Sequence, residues 1–528
     1  MPFATTHAVS LAGATGHLID VQADVSHGQV ATVLVGRPDP ALNEARDRCR
    51  MAIINSGFDW PQTRRTTILL SPADLPKRGT HFDLAIAVAV LGALDLVPKE
   101  ALEDTVLIGE LTLSGGLRSV TGVLPMVLCA RERGAVRVIV PEPQVNEAVM
   151  AGGVEVIGMR SLAQVVAELN GDDVPQAPPV AAMSGSRLLS WRGRQRLDEV
   201  DLKDLHGLAD ARYAAEVCAA GGHHLLLSGP KGSGKTSLAE RIPGLLPDLT
   251  REEAVELTAL HSLAGALEPG DAMITRPPYA APHHDASKAA LVGGGSGHVR
   301  PGEISRAHCG VLFLDEFPLF RTDVIDALRE PMENGDITIA RADELAVLPA
   351  HGIVVLASNP CPCGNYHPHA STSRCTCREQ ERKNYRSRVR GPITDRIDVT
   401  RHLQPLTQAD RDQFSRPETT AEVRVRVEAA RLRQQERYSG AGWRLNAQVP
   451  GAVLRDRWPL TRPAQRLVDN QMFGGRLSQR GGVRVHRLAW TVADLSGVEQ
   501  PGDSEVEVAL RLRSGDPLLV ATLERRAG

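Results

Sequence analysis

Aromatic rings are scarce in this chain: Phe, Trp and Tyr together make up 3% of its 528 residues. So few rings exclude an extended base-stacking platform as a way of holding nucleic acid. An excess of either charge is missing too. With 60 Lys and Arg against 63 Asp and Glu, the formal net charge is −3. No global positive field advertises a polyanion, and any such contact has to come from a local patch. No apolar run reaches the ~20 residues that a membrane span needs. The longest, Leu84–Leu94, reads as a buried helix. The first residues carry no charged segment ahead of an apolar one, so no secretory leader is expected, and the expected compartment is the cytosol. Only eight cysteines are present. In a cytosolic chain they argue for free thiols or a metal rather than disulfides.

What the chain does have is length, too much for one core, and ~3–4 domains is the expectation. It is organised around His223–Ala239, HHLLLSGPKGSGKTSLA. Leu225-Leu226-Leu227 reads as a buried strand. It breaks into Gly229-Pro230-Lys231-Gly232-Ser233-Gly234-Lys235-Thr236, followed by Ser237, which matches G-x-x-x-x-G-K-[ST] at every fixed position. Glycines let backbone N–H groups turn onto phosphate oxygens, and the following helix points its positive end at the same anion. Lys235 can reach the β- and γ-phosphates and the Thr236 hydroxyl can ligate Mg²⁺. This pattern points to a nucleoside triphosphate.

Downstream, Gly310-Val-Leu-Phe-Leu-Asp315-Glu316 is an apolar strand ending in two acids. Asp315 beside Thr236 would hold Mg²⁺, usually through water, and Glu316 would polarise the attacking water as general base. A second apolar strand, Ile353–Ala357, ends in Ser358-Asn359-Pro360. Residues 171–190, with Pro175, Pro178, Pro179 and Gly185, have linker composition. Before them, alternating Leu18–Val25 and Val30–Val35, a helical pattern over Ala41–Asn55, a strand at Thr66–Leu70 and the apolar helix predict a separate α+β domain. Helical spacing is also expected in Leu202–Ala220, and in Ala421–Tyr438, Pro463–Phe473 and Arg484–Leu495.

Several stretches carry a resemblance. LSPADLPKRG, FDLAIAV, IGELTLSGGLR and GVLPMVLCAR resemble the N-terminal domain of the ComM/YifB family of Mg-chelatase-like AAA+ ATPases, which is similar in fold to the Lon-protease (S5-like) domain. Lon uses a Ser–Lys dyad. Its pattern P-K-D-G-P-S-A-G, laid over Pro76–Asp83, puts His81 at the serine, and the lysine position falls on or near Leu124, so the resemblance implies the fold without the peptidase. Ala281–Gly295 and Arg300–His308 resemble the helix-2 insert of chelatase motors. Leu328–Gly335 followed by Ile337–Ala342 is similar to the pre-sensor-1 hairpin shared with MCM helicases. By the same resemblance Asn359 is sensor 1. Gly391-Pro-Ile-Thr-Asp-Arg396-Ile-Asp398 resembles the segment whose arginine reaches a neighbouring subunit's nucleotide, the bland alternative being a salt bridge with Asp395 or Asp398. Arg480, in Ser478-Gln-Arg480-Gly481, matches the sensor-2 helix start, where Arg484 and Arg487 could be confused with it.

Cys361, Cys363, Cys375 and Cys377 form C-x-C…C-x-C. Four thiolates in so short a window can close on a structural Zn²⁺, with His367 and His369 as substitute ligands, or they remain unligated thiols. From Arg374 to Arg401 nine Arg and Lys face four Asp and Glu, either a solvated face or a phosphate-contacting patch. The resemblance therefore implies a Lon-like domain (1–170) lacking the dyad, a linker (171–194), an α/β P-loop AAA+ core of parallel strands and flanking helices (195–402), and an all-α lid (403–528). It implies a hexameric, Mg²⁺-dependent ATPase acting on single-stranded or branched DNA as a helicase or branch-migration motor, with Arg341 as the DNA-gripping residue of the hairpin unless it pairs with Asp343 or Glu344. A motor that remodels a protein partner is the competing expectation.

Overall fold

The computed structural model describes residues 3–180, 200–295, 299–341, 344–366, 375–389, 393–404, 418–519 and 522–523. The first part of the chain builds a seven-stranded mixed sheet. Its strands run in the order Ala31–Val35, Arg65–Ser71, Thr15–Ser26, Phe3–Ala12, Thr105–Leu107, Arg137–Pro141 and Glu155–Met159. Thr15–Ser26 alternates between half-exposed and buried positions, the mark of a sheet with one covered face. That cover is the helix Asp83–Ala93, buried along its whole length, as its lack of a polar face predicts.

The helix opens on a buried ion pair. Arg48, on the helix Ala45–Asn55, donates to both carboxylate oxygens of Asp83 at 2.8 and 3.0 Å, and Asp83 also accepts from the Leu111 N–H. Burial pushes the Asp83 carboxyl up to about 6 against the downward pull of Arg48. The two positions matched to a peptidase dyad are both interior. The His81 ring hydrogen-bonds the Val9 carbonyl at 2.8 Å, and Leu124 is fully buried in the helix Val123–Glu132.

A second sheet is all parallel, in the order Tyr279–Ala280, Val311–Leu314, Ile353–Ser358, Leu225–Ser228 and Val399–His402. The strand entering the glycine-rich loop lies between two strands that come much later in sequence. The order reverses there, and a crevice opens at the carboxyl ends of the strands. The helices Thr420–Arg437, Arg462–Phe473, Gln479–Ser496 and Asp503–Ser514 follow, and their apolar faces share one core with Leu225, Leu227 and the helix Ala209–Gly221.

Two expected helices are shorter than their periodicity. The pattern over Leu202–Ala220 is cut by Gly207 and Leu208, both left-handed, leaving a 3₁₀ turn at Leu202–Asp204 before Ala209–Gly221. The pattern over Ala41–Asn55 divides at Glu44 into Pro40–Asn43 and Ala45–Asn55. The two sheets are joined by polar contacts. Glu147, half-buried beside the first sheet, accepts from the Ser262 hydroxyl and the Leu124 N–H, and Gly122 N–H donates to the Ser262 carbonyl.

Arg48→Ala should lower stability by ~3–5 kcal/mol, the cost of leaving a buried charge unpaired, seen as a lower urea midpoint. Adding Asp83→Asn should recover part of the loss. The wild type should also hold a stability term that is complete below the unfolded Asp value of 3.8 and is lost as pH rises through about 6, since burial raises the folded value. An Arg48→Ala midpoint equal to the wild type would contradict this.

Candidate active site

The loop after Leu225–Ser228 is shaped by its glycines. Gly232 and Gly234 sit at φ of 76° and 87°, where a side chain would be strained. At Gly229 the restriction is space, because an added Cβ would fall 2.6 Å from the Leu403 carbonyl oxygen. The loop delivers Lys235 to the start of the helix Lys235–Ala239. A cleft of about 410 Å³ opens over it, lined by residues 231–237 together with Asp315, Glu316 and Asn359.

The functional groups are tied to one another. The Lys235 ammonium donates to the Gly229 carbonyl (2.7 Å), the Pro230 carbonyl (2.8 Å) and Asn359 Oδ1 (3.1 Å). Burial lowers its pKa, while Asp315 and Glu316 pull it back up. Asn359 Nδ2 in turn donates to Glu316 Oε1 at 3.1 Å, and Thr236 Oγ1 donates to Asp315 Oδ2 at 3.1 Å. The Ser233 hydroxyl closes the turn on the Pro230 carbonyl. Glu316 holds a left-handed conformation, φ 47° and ψ 40°, costly for a residue with a Cβ. These groups fit a magnesium nucleotide. A hydroxyl and a carboxylate stand together as hard oxygen donors. An ammonium and the loop N–H groups face the same space, and a carboxylate waits opposite.

The expected arginines lie elsewhere. Neither Arg396 nor Arg480 lines the cleft; instead both reach one oxygen, Glu333 Oε1, at 2.8 and 3.6 Å. Arg396 is buried, and it pairs with Glu333 of the helix Arg329–Asn334. Arg480 is largely exposed at the start of Gln479–Ser496, whose N-cap Ser478 accepts from the Gly481 N–H. Its two neighbours are committed inside: Arg484 to the buried Asp398, and Arg487 to the Val449 carbonyl at 2.9 Å. Burial drives Asp398 upward, but Arg484 and His223 outweigh it and hold the carboxyl well below its usual range. Arg513 donates to the Ile397 carbonyl, so C-terminal helices grip the two residues that directly follow Arg396. Sequence reasoning missed Glu333 as the partner of Arg396 and Arg480, and Asp398 as the partner of Arg484, since nothing in their local spacing marks these pairs.

The four cysteines converge. Sγ–Sγ distances are 3.3 Å for Cys361–Cys363 and 3.6 Å for Cys363–Cys375 and Cys375–Cys361, and all four sulfurs lie within 4.8 Å of one another. Zn–S bonds of ~2.3 Å in a tetrahedron separate sulfurs by ~3.8 Å, so the residues fit a zinc ion. The Asn365 and Thr376 N–H groups pull the Cys363 thiol down to about 6 despite some burial, while burial pushes Cys361 up to about 12. His367 and His369 lie outside the described residues. Asp336–Arg341 and Glu344–Pro349 form an antiparallel hairpin with Ile337, Ile339, Ala346 and Leu348 on its buried face. Arg341 ends the first strand in register with Glu344; its side chain, like Asp343, lies outside the described residues. Among the described residues no helix is long and apolar enough to cross a membrane.

Three family models match the chain: "Magnesium chelatase, subunit ChlI" over residues 201–411, "Subunit ChlI of Mg-chelatase" over 21–144, and "Magnesium chelatase, subunit ChlI C-terminal" over 417–513. An uncharacterized protein of Mycobacterium tuberculosis (strain H37Rv) is 43% identical over 513 residues, 97% of this chain and 99% of that one. The uncharacterized protein YifB of Escherichia coli (strain K12) is 37% identical over 522 residues, 98% of this chain and 99% of its own. Competence protein ComM of Haemophilus influenzae is 36% identical over 517 residues, 97% and 98%.

The left-handed Glu316 reverses the usual ranking of small residues. Glu316→Gly should be more stable than Glu316→Ala by ~1 kcal/mol in thermal denaturation of the nucleotide-free protein, because only glycine takes this conformation without strain. Alanine matching or exceeding glycine would show that the backbone is not constrained there.

Proposed function

The chain belongs to the ComM/YifB family of Mg-chelatase-like AAA+ ATPases, and from that premise we propose that it is a hexameric ATP-driven motor that translocates on DNA, as a helicase or branch-migration enzyme in recombination or DNA uptake. The family implies ATP, Mg²⁺ and oligomerisation. The observation that carries the catalytic part is the linked set Lys235, Thr236, Asp315, Glu316 and Asn359 around one cleft.

In this reading the N–H groups of Gly229–Ser237 and the Lys235 ammonium bind the triphosphate. Thr236 and Asp315 would hold Mg²⁺, which when bound neutralises charge on the β- and γ-oxygens. Glu316 accepts the proton of the attacking water, and Asn359, already hydrogen-bonded to Glu316, orients that water. Arg396, outside its own cleft, serves a neighbouring subunit's nucleotide and neutralises the charge that develops on the transferred phosphoryl group. Arg480, on the same carboxylate, acts from the same face. Glu333 is then the partner both arginines hold in the single protomer.

The domains follow the same reading: residues 1–170 a Lon-like domain without a nucleophile, 171–194 a linker, 195–402 the motor, and 403–528 a helical lid. The four cysteines hold a structural zinc. DNA is favoured as the track by the hairpin, whose tip carries Arg341, and by a full-length relative named a competence protein. An arginine fork can take two phosphate oxygens. With few rings for stacking, contact is mainly to backbone and strongly salt-dependent. The magnesium-chelatase family models favour a second reading, a motor acting on a protein partner.

Arg396→Ala should retain ATP binding and lose hydrolysis, and Lys235→Ala should lose binding. Mixing the two should restore activity at hybrid interfaces that pair an intact cleft with an intact Arg396. A monomer with full ATPase activity would refute shared sites.

Arg341→Ala should abolish unwinding of a forked DNA and DNA-stimulated ATPase while leaving basal ATPase and ring assembly intact. Wild-type unwinding by this variant would show that the hairpin is not the grip.

A further inference from the structure

The four-cysteine cluster is not remote from the nucleotide cleft. Cys361 follows Asn359 after a single proline, so the sulfur cluster begins where the strand Ile353–Ser358 ends. The turn inside the cluster lies against the glycine-rich loop. Gly364, at φ 78°, accepts at 3.4 Å from the Lys231 N–H, and an added Cβ there would fall 2.6 Å from Lys231 Cγ. After Cys375 and Cys377 the chain enters the helix Glu379–Val389, which returns to the same place. The buried Tyr385 side chain lies against the Ser358 side chain and the backbone of Asn359, and the neighbouring Arg386 donates at 3.5 Å to the Pro360 carbonyl. Arg388 donates at 3.0 Å to the Pro318 carbonyl, in the turn Phe317–Leu319 that directly follows Glu316.

Both cysteine pairs are therefore fastened at the cleft, the first through Asn359 and the second through a helix that lies against Asn359 and donates to the turn after Glu316. Four sulfurs within 4.8 Å of one another, three of them at 3.3–3.6 Å, cannot hold themselves together as thiolates, which repel; a divalent ion turns the cluster into a cross-link. We propose that this metal site is a brace for the hydrolytic geometry, so that ATP turnover depends on a zinc ion that touches no nucleotide. The inference rests on the reading that the four thiolates hold zinc. Zinc fixes Cys361 to Cys375 and Cys377, the fixed pair seats the helix Glu379–Val389, and Tyr385 with Arg388 then holds Asn359 and Glu316 in register. Phosphate binding, which uses the glycine-rich loop and Lys235, depends on the brace much less. Tyr385 is in this sense a positioning residue.

The full-length chain would be purified and its zinc measured by elemental analysis, with about one ion per chain expected for a four-thiolate site. It would then be stripped with a chelator and tested for hydrolysis and for binding of a fluorescent ATP analogue. Stripping should cut kcat on the order of 10- to 100-fold, the scale of a small misplacement of catalytic groups, with a much smaller change in nucleotide affinity. Adding Zn²⁺ alone should restore turnover. Tyr385→Phe keeps the ligands, and should retain zinc and thermal stability while lowering kcat and leaving KM nearly unchanged. If stripping unfolds the chain, Tyr385→Phe decides: full kcat with zinc in place overturns the brace, and reduced kcat supports it. Stoichiometric zinc with full turnover after stripping refutes the brace but not the zinc site. A chain that neither carries nor takes up zinc refutes the site itself.

Discussion

The Asn359 side chain accepts from the Lys235 ammonium and donates to the Glu316 carboxylate, and the cleft depends on that one amide. Lysine and glutamate would otherwise meet directly and neutralise each other. The asparagine bridges the two, and in the proposed mechanism this leaves the cation for phosphate and the carboxylate for a proton. It can do so because Leu225–Ser228 and Val311–Leu314 flank the strand Ile353–Ser358 in parallel register, Ser228 opposite Ser358 and Leu314 opposite Leu356, so that the acids after Leu314 fall beside the end of that strand. The left-handed turn at Glu316 then swings its carboxylate toward Asn359.

Around this centre lies a second layer made from chain far away in sequence. Asp398 accepts from the His224 N–H just before the central strand and pairs with Arg484 of a C-terminal helix. Arg513 holds Ile397, and Arg401 pairs with Asp210 while donating to the Arg511 and Asp516 carbonyls. The segment around Arg396 is thus positioned by C-terminal helices and not by its own strand alone. In the proposed ring, a movement of those helices relative to the sheet would move the arginine offered to the neighbour. A positive N-terminal end of a short helix and a buried lysine suit an anion, and a buried carboxylate network at a distance keeps the arginines oriented.

Contiguous features were legible in the sequence. The glycine-rich loop, the acids after Val311–Leu314 and Asn359 after Ile353–Ser358 are each a strand followed by its functional residue, and local chemistry determines such units. The hairpin and the helix start at Ser478 were legible for the same reason. Contacts across long separations were not. Nothing near Glu333 says that it will receive Arg396 and Arg480, and nothing near Tyr385 says that it will lie against Asn359. Periodicity also overran the helix Ala209–Gly221 at Gly207-Leu208, where a left-handed backbone overrides a continuous apolar pattern. The C-x-C spacing lacked the usual zinc-ribbon form, and only the return of the helix Glu379–Val389 shows why two short pairs meet.

The central claim is that hydrolysis at this cleft drives movement on DNA. It is tested most directly by the steady-state ATPase rate of the wild-type protein without nucleic acid and with single-stranded, duplex and branched DNA, at low and moderate salt. Stimulation by single-stranded or branched DNA that falls steeply with salt is the result expected of a phosphate-gripping motor. A rate indifferent to every DNA at both salt concentrations would contradict it.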